Sequence, residues 1–345
     1  MKKENATTLF FLARSLFFGL GISLICKFTD KDTYIGAIIG TFLGLFIILG
    51  YRYVIHNKKE QSLEQIFAKN KIVGMITKIL FLVASIIILA YTLLTYKTFV
   101  SSFLLTTTPV FMIFLPWIIL LIYAAFSGLP MIHKLASALF PISLVLSFLS
   151  IISVVGNFDF LNFLPILTTT PSSMLMCIIS FAGISAFPGI LTLHMNANIK
   201  NYAKFYLLAA VSIVIAILCI NGVFGEVLVN VFRFPEYMVL KQVKLFDFIE
   251  KIENILSIAW AFDLFITSAF SIYSIKTLLP QKKNGLVAIV IVGIVAIVID
   301  RVLDFNYIYE LFLYYALPYI SFGLAIIILL LFLYLIKKKT SKNSI

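Results

Sequence analysis

The sequence predicts an all-α polytopic membrane protein of ten transmembrane helices, arranged as two five-helix repeats of opposite orientation. Three observations carry this. Hydrophobic residues are 62% of the chain and charged residues 12%, with a mean hydropathy of +1.09, more apolar surface than a soluble domain can bury. The apolar residues gather into ten runs, each close to the roughly 20 residues a helix needs to cross a bilayer. Helix-breaking residues recur in runs one and six, the matching positions of a five-plus-five duplication. Because five is odd, the second unit runs upside down relative to the first.

The elements follow in order. Thr8–Cys26 comes after Met1-Lys2-Lys3 and has the outline of a signal peptide. Arg14 interrupts its apolar core and no small-residue cleavage site follows, so a retained helix is expected. Thr33–Ile55, Ile72–Tyr96, Pro109–Phe126 and Leu135–Val155 complete repeat one, about residues 8–155. Between its second and third spans, His56–Lys71 reads as a short amphipathic helix. Repeat two, about residues 173–336, comprises Ser173–Leu193, Tyr202–Val223, Ile252–Leu279, Gly285–Leu303 and Tyr309–Ile336. The chain 1–345 is therefore expected to be a single transmembrane domain with a short tail, residues 337–345. Between spans seven and eight, segment 234–251 places Glu236, Lys241, Lys244, Asp247, Glu250 and Lys251 against Leu240, Val243, Phe246 and Ile249. That spacing gives one greasy and one charged helical face, suited to lying on the membrane surface or docking on the protein's outer rim.

Charge placement sets the orientation. Of the 27 Lys and Arg residues, most fall at the N-terminus, in the loops after spans two, four, six and eight, and in the tail. The positive-inside rule then puts both termini in the cytoplasm. Asp30, Asp32, Asp159, Glu226, Asp300, Asp304 and Glu310 fall on the opposite side. The net charge of +12 is thus a topology signal with anionic headgroups as its partner; no basic patch carries interleaved aromatics, which excludes a nucleic-acid partner. Cys26, Cys177 and Cys219, like His56, His133 and His194, are scattered without metal-ligand spacing, so no metal or cofactor is expected. No Ser/His/Asp grouping, HExxH or phosphate-binding glycine loop occurs, and the chain does not read as an enzyme.

The breaks are Gly19-Leu20-Gly21 in span one and Gly183 with Pro188-Gly189 in span six. Glycine loosens a helix and proline removes a hydrogen bond. Backbone freed in this way is tolerated around a cavity, where half-helix ends hold a carboxylate or a cation; glycine also serves close helix packing, as Pro116, Pro141 and Pro318 in other spans warn for proline. Two ionisable residues lie inside spans, Arg14 and Asp263. They form a charge pair between spans one and eight, or Arg14 snorkels to the interface. Thr267, one turn beyond Asp263, shares its helix face. Ser180 and Ser185 flank the span-six break, and Tyr91 is an interior tyrosine of span three. Each of these hydroxyls is a ligand contact or a partner of its own helix's carbonyls.

Phe234-Pro235-Glu236, Phe248-Ile249-Glu250-Lys251-Ile252-Glu253 and Trp260 resemble the outer loop and eighth span of the endospore germination receptor B subunits, the GerAB-like spore germination permeases. Asn162-Phe163-Leu164-Pro165 is similar to the family's Leu-Pro segment before span six, and Gly19-Leu20-Gly21 fits its first break. The resemblance implies the LeuT-like inverted repeat of the amino-acid–polyamine–organocation superfamily. It also implies recognition of a small nutrient germinant, an amino acid in many members, in a bacterial cell membrane or spore inner membrane, with A and C receptor subunits as partners. By resemblance the site is lined by Gly19, Gly21 and Gly183, with Tyr91 and Thr267 nearby. Two departures stand out: Gly183-Ile184-Ser185 replaces the family's Gly-aromatic-Glu, and no Gln stands early in span one. A proton- or sodium-coupled amino-acid transporter of the same fold, with Asp263 as the ion site, is the alternative function.

Overall fold

In the computed structural model, the first apolar run is two helices, α1 (Thr7–Ser15) and α2 (Gly21–Thr29). The structure describes residues 6–17, 21–58, 61–196, 199, 201–242, 253–279, 284–301 and 316–337. There follow α3 (Thr33–Asn57), α4 (Leu63–Ala68), α5 (Lys71–Phe99), α6 (Val110–Phe126) and α7 (Leu129–Val154). The second half holds α8 (Pro171–Ala186), α9 (Tyr202–Val231), α10 (Pro235–Gln242), α11 (Glu253–Leu278), α12 (Asn284–Arg301) and α13 (Leu317–Lys337). No strand occurs among the described residues.

Seven helical segments among the described residues are long and apolar enough to span a bilayer. Val110–Phe126 and Gly285–Ile299 are shorter apolar helices. Phe42, Phe46, Phe111, Leu115, Tyr123 and Phe148 stand exposed on their outer faces. Apolar surface on that scale needs lipid rather than water around it, and the chain is an integral membrane protein.

Local chemistry explains the boundaries. α7 starts at Leu129, six residues ahead of the expected Leu135, because Pro130 sits in its first turn and Gly128 (φ +92°) turns the chain into it. α9 runs past Val223, its expected end, and is kinked at Gly225, whose φ of +63° suits glycine. In the short amphipathic segment, Ser62 and Gln65 form a reciprocal capping box that starts α4. The expected start of the last span at Tyr309, the segment 243–251 and the tail after Lys337 lie outside the described residues.

α1 is the centre of the packing, lodged between α7, α9 and α11. Around it α3 lies along α8, α11 along α5, and α13 against α8. α10 docks on the protein: Pro235, Glu236, Tyr237, Val239 and Leu240 are all buried. Its anchors are aromatic, with Tyr237 5.2 Å from Phe99 and Phe234 5.5 Å from Phe103 in edge-on contact.

Candidate functional site

Arg14 lies in the last turn of α1 and is fully buried. A charge there is tolerated only with partners, and three are present. Its Nη2 lies 3.1 Å from Asp263 Oδ2 on α11, also buried. Its Nη1 donates to Ser147 Oγ on α7 at 3.2 Å, and its Cζ sits 4.6 Å from the centre of the Phe10 ring. The guanidinium therefore turns inward rather than snorkelling, and it ties three helices together at one point.

Two residues further on, α1 has ended. The carbonyl of Leu16, freed by the break, accepts a hydrogen bond from the Tyr91 hydroxyl of α5 at 2.9 Å. Gly21 is required where the chain resumes: a Cβ there would stand 2.0 Å from the Leu16 oxygen. Gly19 lies outside the described residues. Thr267, one turn from Asp263 on α11, is fully buried, and its Oγ1 has no hydrogen-bond partner among the described residues. The neighbouring Ser268 donates to Thr92 Oγ1 at 2.8 Å, which fixes α11 against α5 beside Tyr91. Arg14, Tyr91, Asp263 and Thr267 thus come from the three helices around the α1 break.

Span six is different in kind. After Ala186 the helix tightens into a 3-10 segment, Phe187–His194, with Pro188 in its first turn. Ser185 Oγ donates to Ala182 O at 3.2 Å and lies 2.9 Å from the Tyr206 hydroxyl of α9. A Cβ at Gly183 would meet the backbone nitrogen of Phe322 at 2.9 Å, so this glycine seats α8 against α13. Ser180 is buried on the same helix. Contact with the first break runs through Phe181, whose ring lies 4.7 Å from that of Phe17.

Three cavities among the described residues stand out, and none of the three is lined by Arg14, Gly21, Tyr91, Ser180, Gly183, Ser185, Asp263 or Thr267. A small one of about 50 Å³ lies between α7, α9 and α10, with Ser147 and Glu236 in its wall, so it meets Arg14 through Ser147. A second of about 430 Å³ opens beside α4, among Lys58, Lys78 and His194. The third, about 520 Å³, is walled by Phe99, Trp117 and Trp260.

Sequence reasoning missed several polar residues. Asp32 falls among the acids of the loop after span one, yet it is fully buried. Its carboxylate accepts from Thr169 Oγ1 at 2.7 Å and from the backbone N–H groups of Leu167 at 2.9 Å and Thr169 at 3.1 Å. Burial opposes its ionisation, but these donors outweigh it and hold the carboxyl below the ordinary value. The only sequence signal was its place just before Thr33, where an aspartate can hold a loop. Ser147, Lys58 and His194 carried none beyond residue type, and Glu236 was legible only as part of the charged face of segment 234–251 and its motif. No group of three or more His, Cys, Asp and Glu placed to hold a metal ion occurs among the described residues.

Against known families, the model for spore germination proteins matches residues 5–307, most of the chain. A search among curated proteins finds no match.

Proposed function

The chain belongs to the spore germination protein family, and from that premise we propose that it is a germination receptor subunit, sensing a small nutrient inside the membrane. The observation that carries this is the polar centre at the α1 break. A freed carbonyl held by Tyr91 and a buried charge pair lie at the end of one interrupted helix, and the buried hydroxyl of Thr267 stands one turn along α11 from Asp263. Such a centre offers a cation and a hydroxyl donor to an amino acid's carboxylate, and a carboxylate and a carbonyl to its ammonium group. The buried pair has to loosen to take such a ligand, so binding and rearrangement of α1 against α7 and α11 are one event. A ligand that binds the rearranged form better shifts the equilibrium toward it, and partner subunits read the change.

The finer architecture belongs to the same proposal. α1 with α2, α6 and α12 add to the seven long helices to give ten crossings in a LeuT-like five-plus-five arrangement, a single transmembrane domain with both termini in the cytoplasm. The A and C receptor subunits are the partners.

The test is the germination dose-response of spores carrying Asp263→Asn, with protein amount in the membrane checked alongside. A response weakened at least tenfold after correction for the protein amount is expected, and an unchanged dose-response would retire the site. Uptake by the purified chain in proteoliposomes separates sensor from transporter: robust amino-acid counterflow would favour the transporter.

A further inference from the structure

The cavity beside α4 is built from parts that the α1 centre does not use. Lys58, the residue at which α3 ends, is 3% exposed although it is a lysine at a helix terminus. Its Nζ donates to the carbonyl of Leu193, near the end of the 3-10 segment of span six. Lys78, half-buried on α5, and His194 enter the same cavity. His194 is fixed from within: its Nε2 lies 2.9 Å from Ser274 Oγ, which lies 2.9 Å from Ser85 Oγ, and its ring stacks on Phe81 at 5.3 Å. The acid in the lining, Glu64, is exposed.

Among the described residues that line it, two lysines stand against one solvated carboxylate, in a cavity of about 430 Å³ that favours an anion. The walls add a second feature. Phe67 and Leu278 wall the same space with apolar surface, while Ser62 supplies a hydroxyl at the start of α4. The lining thus combines cationic and apolar side chains, on the face that the lysine distribution assigns to the cytoplasm. Basic pockets between membrane helices on that side are where phosphate headgroups settle. Lysine suits this task because its ammonium is a compact point charge that pairs with phosphate.

We propose that this cavity is a second ligand site, distinct from the α1 centre, that binds a phosphate-type anion between α3, α4, α5 and the 3-10 end of span six. An anion there bridges Lys58, which already holds the 3-10 segment, to Lys78 on α5. It fastens the half of span six beyond the break to the outer helices.

The experiment uses the full chain purified in neutral detergent, with short-chain phosphatidylglycerol, short-chain phosphatidylcholine and inorganic phosphate as probes. Binding is read by native mass spectrometry and by the rise in melting temperature. Phosphatidylglycerol is expected to bind and phosphatidylcholine not to compete. Lys78→Gln and Lys58→Gln should each weaken binding at least fivefold, while Lys134→Gln, an exposed lysine of α7, leaves it unchanged. Lys78→Gln decides the matter if Lys58→Gln does not fold. Binding of phosphatidylglycerol without inorganic phosphate identifies a lipid headgroup, and binding of both identifies a free-anion site. Equal binding of the anionic probes by wild type and Lys78→Gln, or no binding of either, overturns the proposal.

Discussion

Removing one member of the Arg14–Asp263 pair should cost far more than removing both. Breaking a buried ion pair leaves a bare charge and costs about 3–5 kcal/mol, whereas replacing the whole pair by apolar residues of similar volume is close to neutral. In Asp263→Asn the guanidinium loses its 3.1 Å contact with the carboxylate but keeps Ser147 at 3.2 Å and the Phe10 ring at 4.6 Å. A hydrogen bond from a charged donor is worth about 1.5–3 kcal/mol and a desolvated cation–π contact up to about 2 kcal/mol. These surviving partners place the loss at the lower end, about 3 kcal/mol. Arg14→Met should fall in the same range of about 3–5 kcal/mol, because Asp263 has no other hydrogen-bond donor among the described residues. The double variant Arg14→Met/Asp263→Leu should lie within about 1 kcal/mol of wild type. The assay is a double-mutant cycle on the detergent-purified protein, read by thermal unfolding under one set of conditions. Additive losses, with the double variant as unstable as the two singles summed, would refute the reasoning that the pair is a coupled unit.

Three further outcomes follow from the geometry. Asp32→Asn should destabilise the protein by about 1–3 kcal/mol, since the donors from Leu167 and Thr169 lose a charged acceptor. Because the folded carboxyl titrates below its unfolded value, that contribution is present above the unfolded value, about pH 4, and is lost as pH falls through the folded one. Melting curves of wild type and variant should therefore keep their separation from neutral to mildly acidic pH and converge below about pH 4. Gly183→Ala presses a methyl to 2.9 Å from Phe322 and Ser321 and should cost about 1–3 kcal/mol in the same melts. Tyr91→Phe leaves the Leu16 carbonyl without its 2.9 Å donor, a loss of about 1–3 kcal/mol, and should alter the germinant response as well as the melt.

Much of the fold was legible because a bilayer imposes one strong rule, that backbone polar groups be satisfied within helices. The apolar runs therefore marked the long helices, the start of α7 and the end of α9 apart, to within a few residues, and Gly21 of the first break stands where α2 begins. Arg14 and Asp263 could be singled out because charge inside a span is rare, though the sequence could not choose between pairing and snorkelling. Ser147 could not be found at all, since membrane serines are common and only the packing of α7 on α1 makes this one a partner. Glycine was ambiguous for a physical reason: Gly21 serves a close return of the chain and Gly183 serves helix packing, and the two look alike in sequence. Asp32 and Lys58 read as solvated loop charges because burial at the ends of α3 depends on contacts with residues more than 130 positions away.

The account stands most directly on Thr267→Val. The hydroxyl of Thr267 is buried with no hydrogen-bond partner among the described residues, so the near-isosteric valine should leave membrane levels and the melting temperature unchanged or slightly raised. If that hydroxyl receives the germinant, losing the contact is worth about 1–1.5 kcal/mol, close to tenfold in affinity. The germination dose-response of Thr267→Val spores is therefore predicted to shift about tenfold to higher germinant at unchanged protein level. A dose-response superimposable on wild type would contradict the claim that the α1 break is the sensing site.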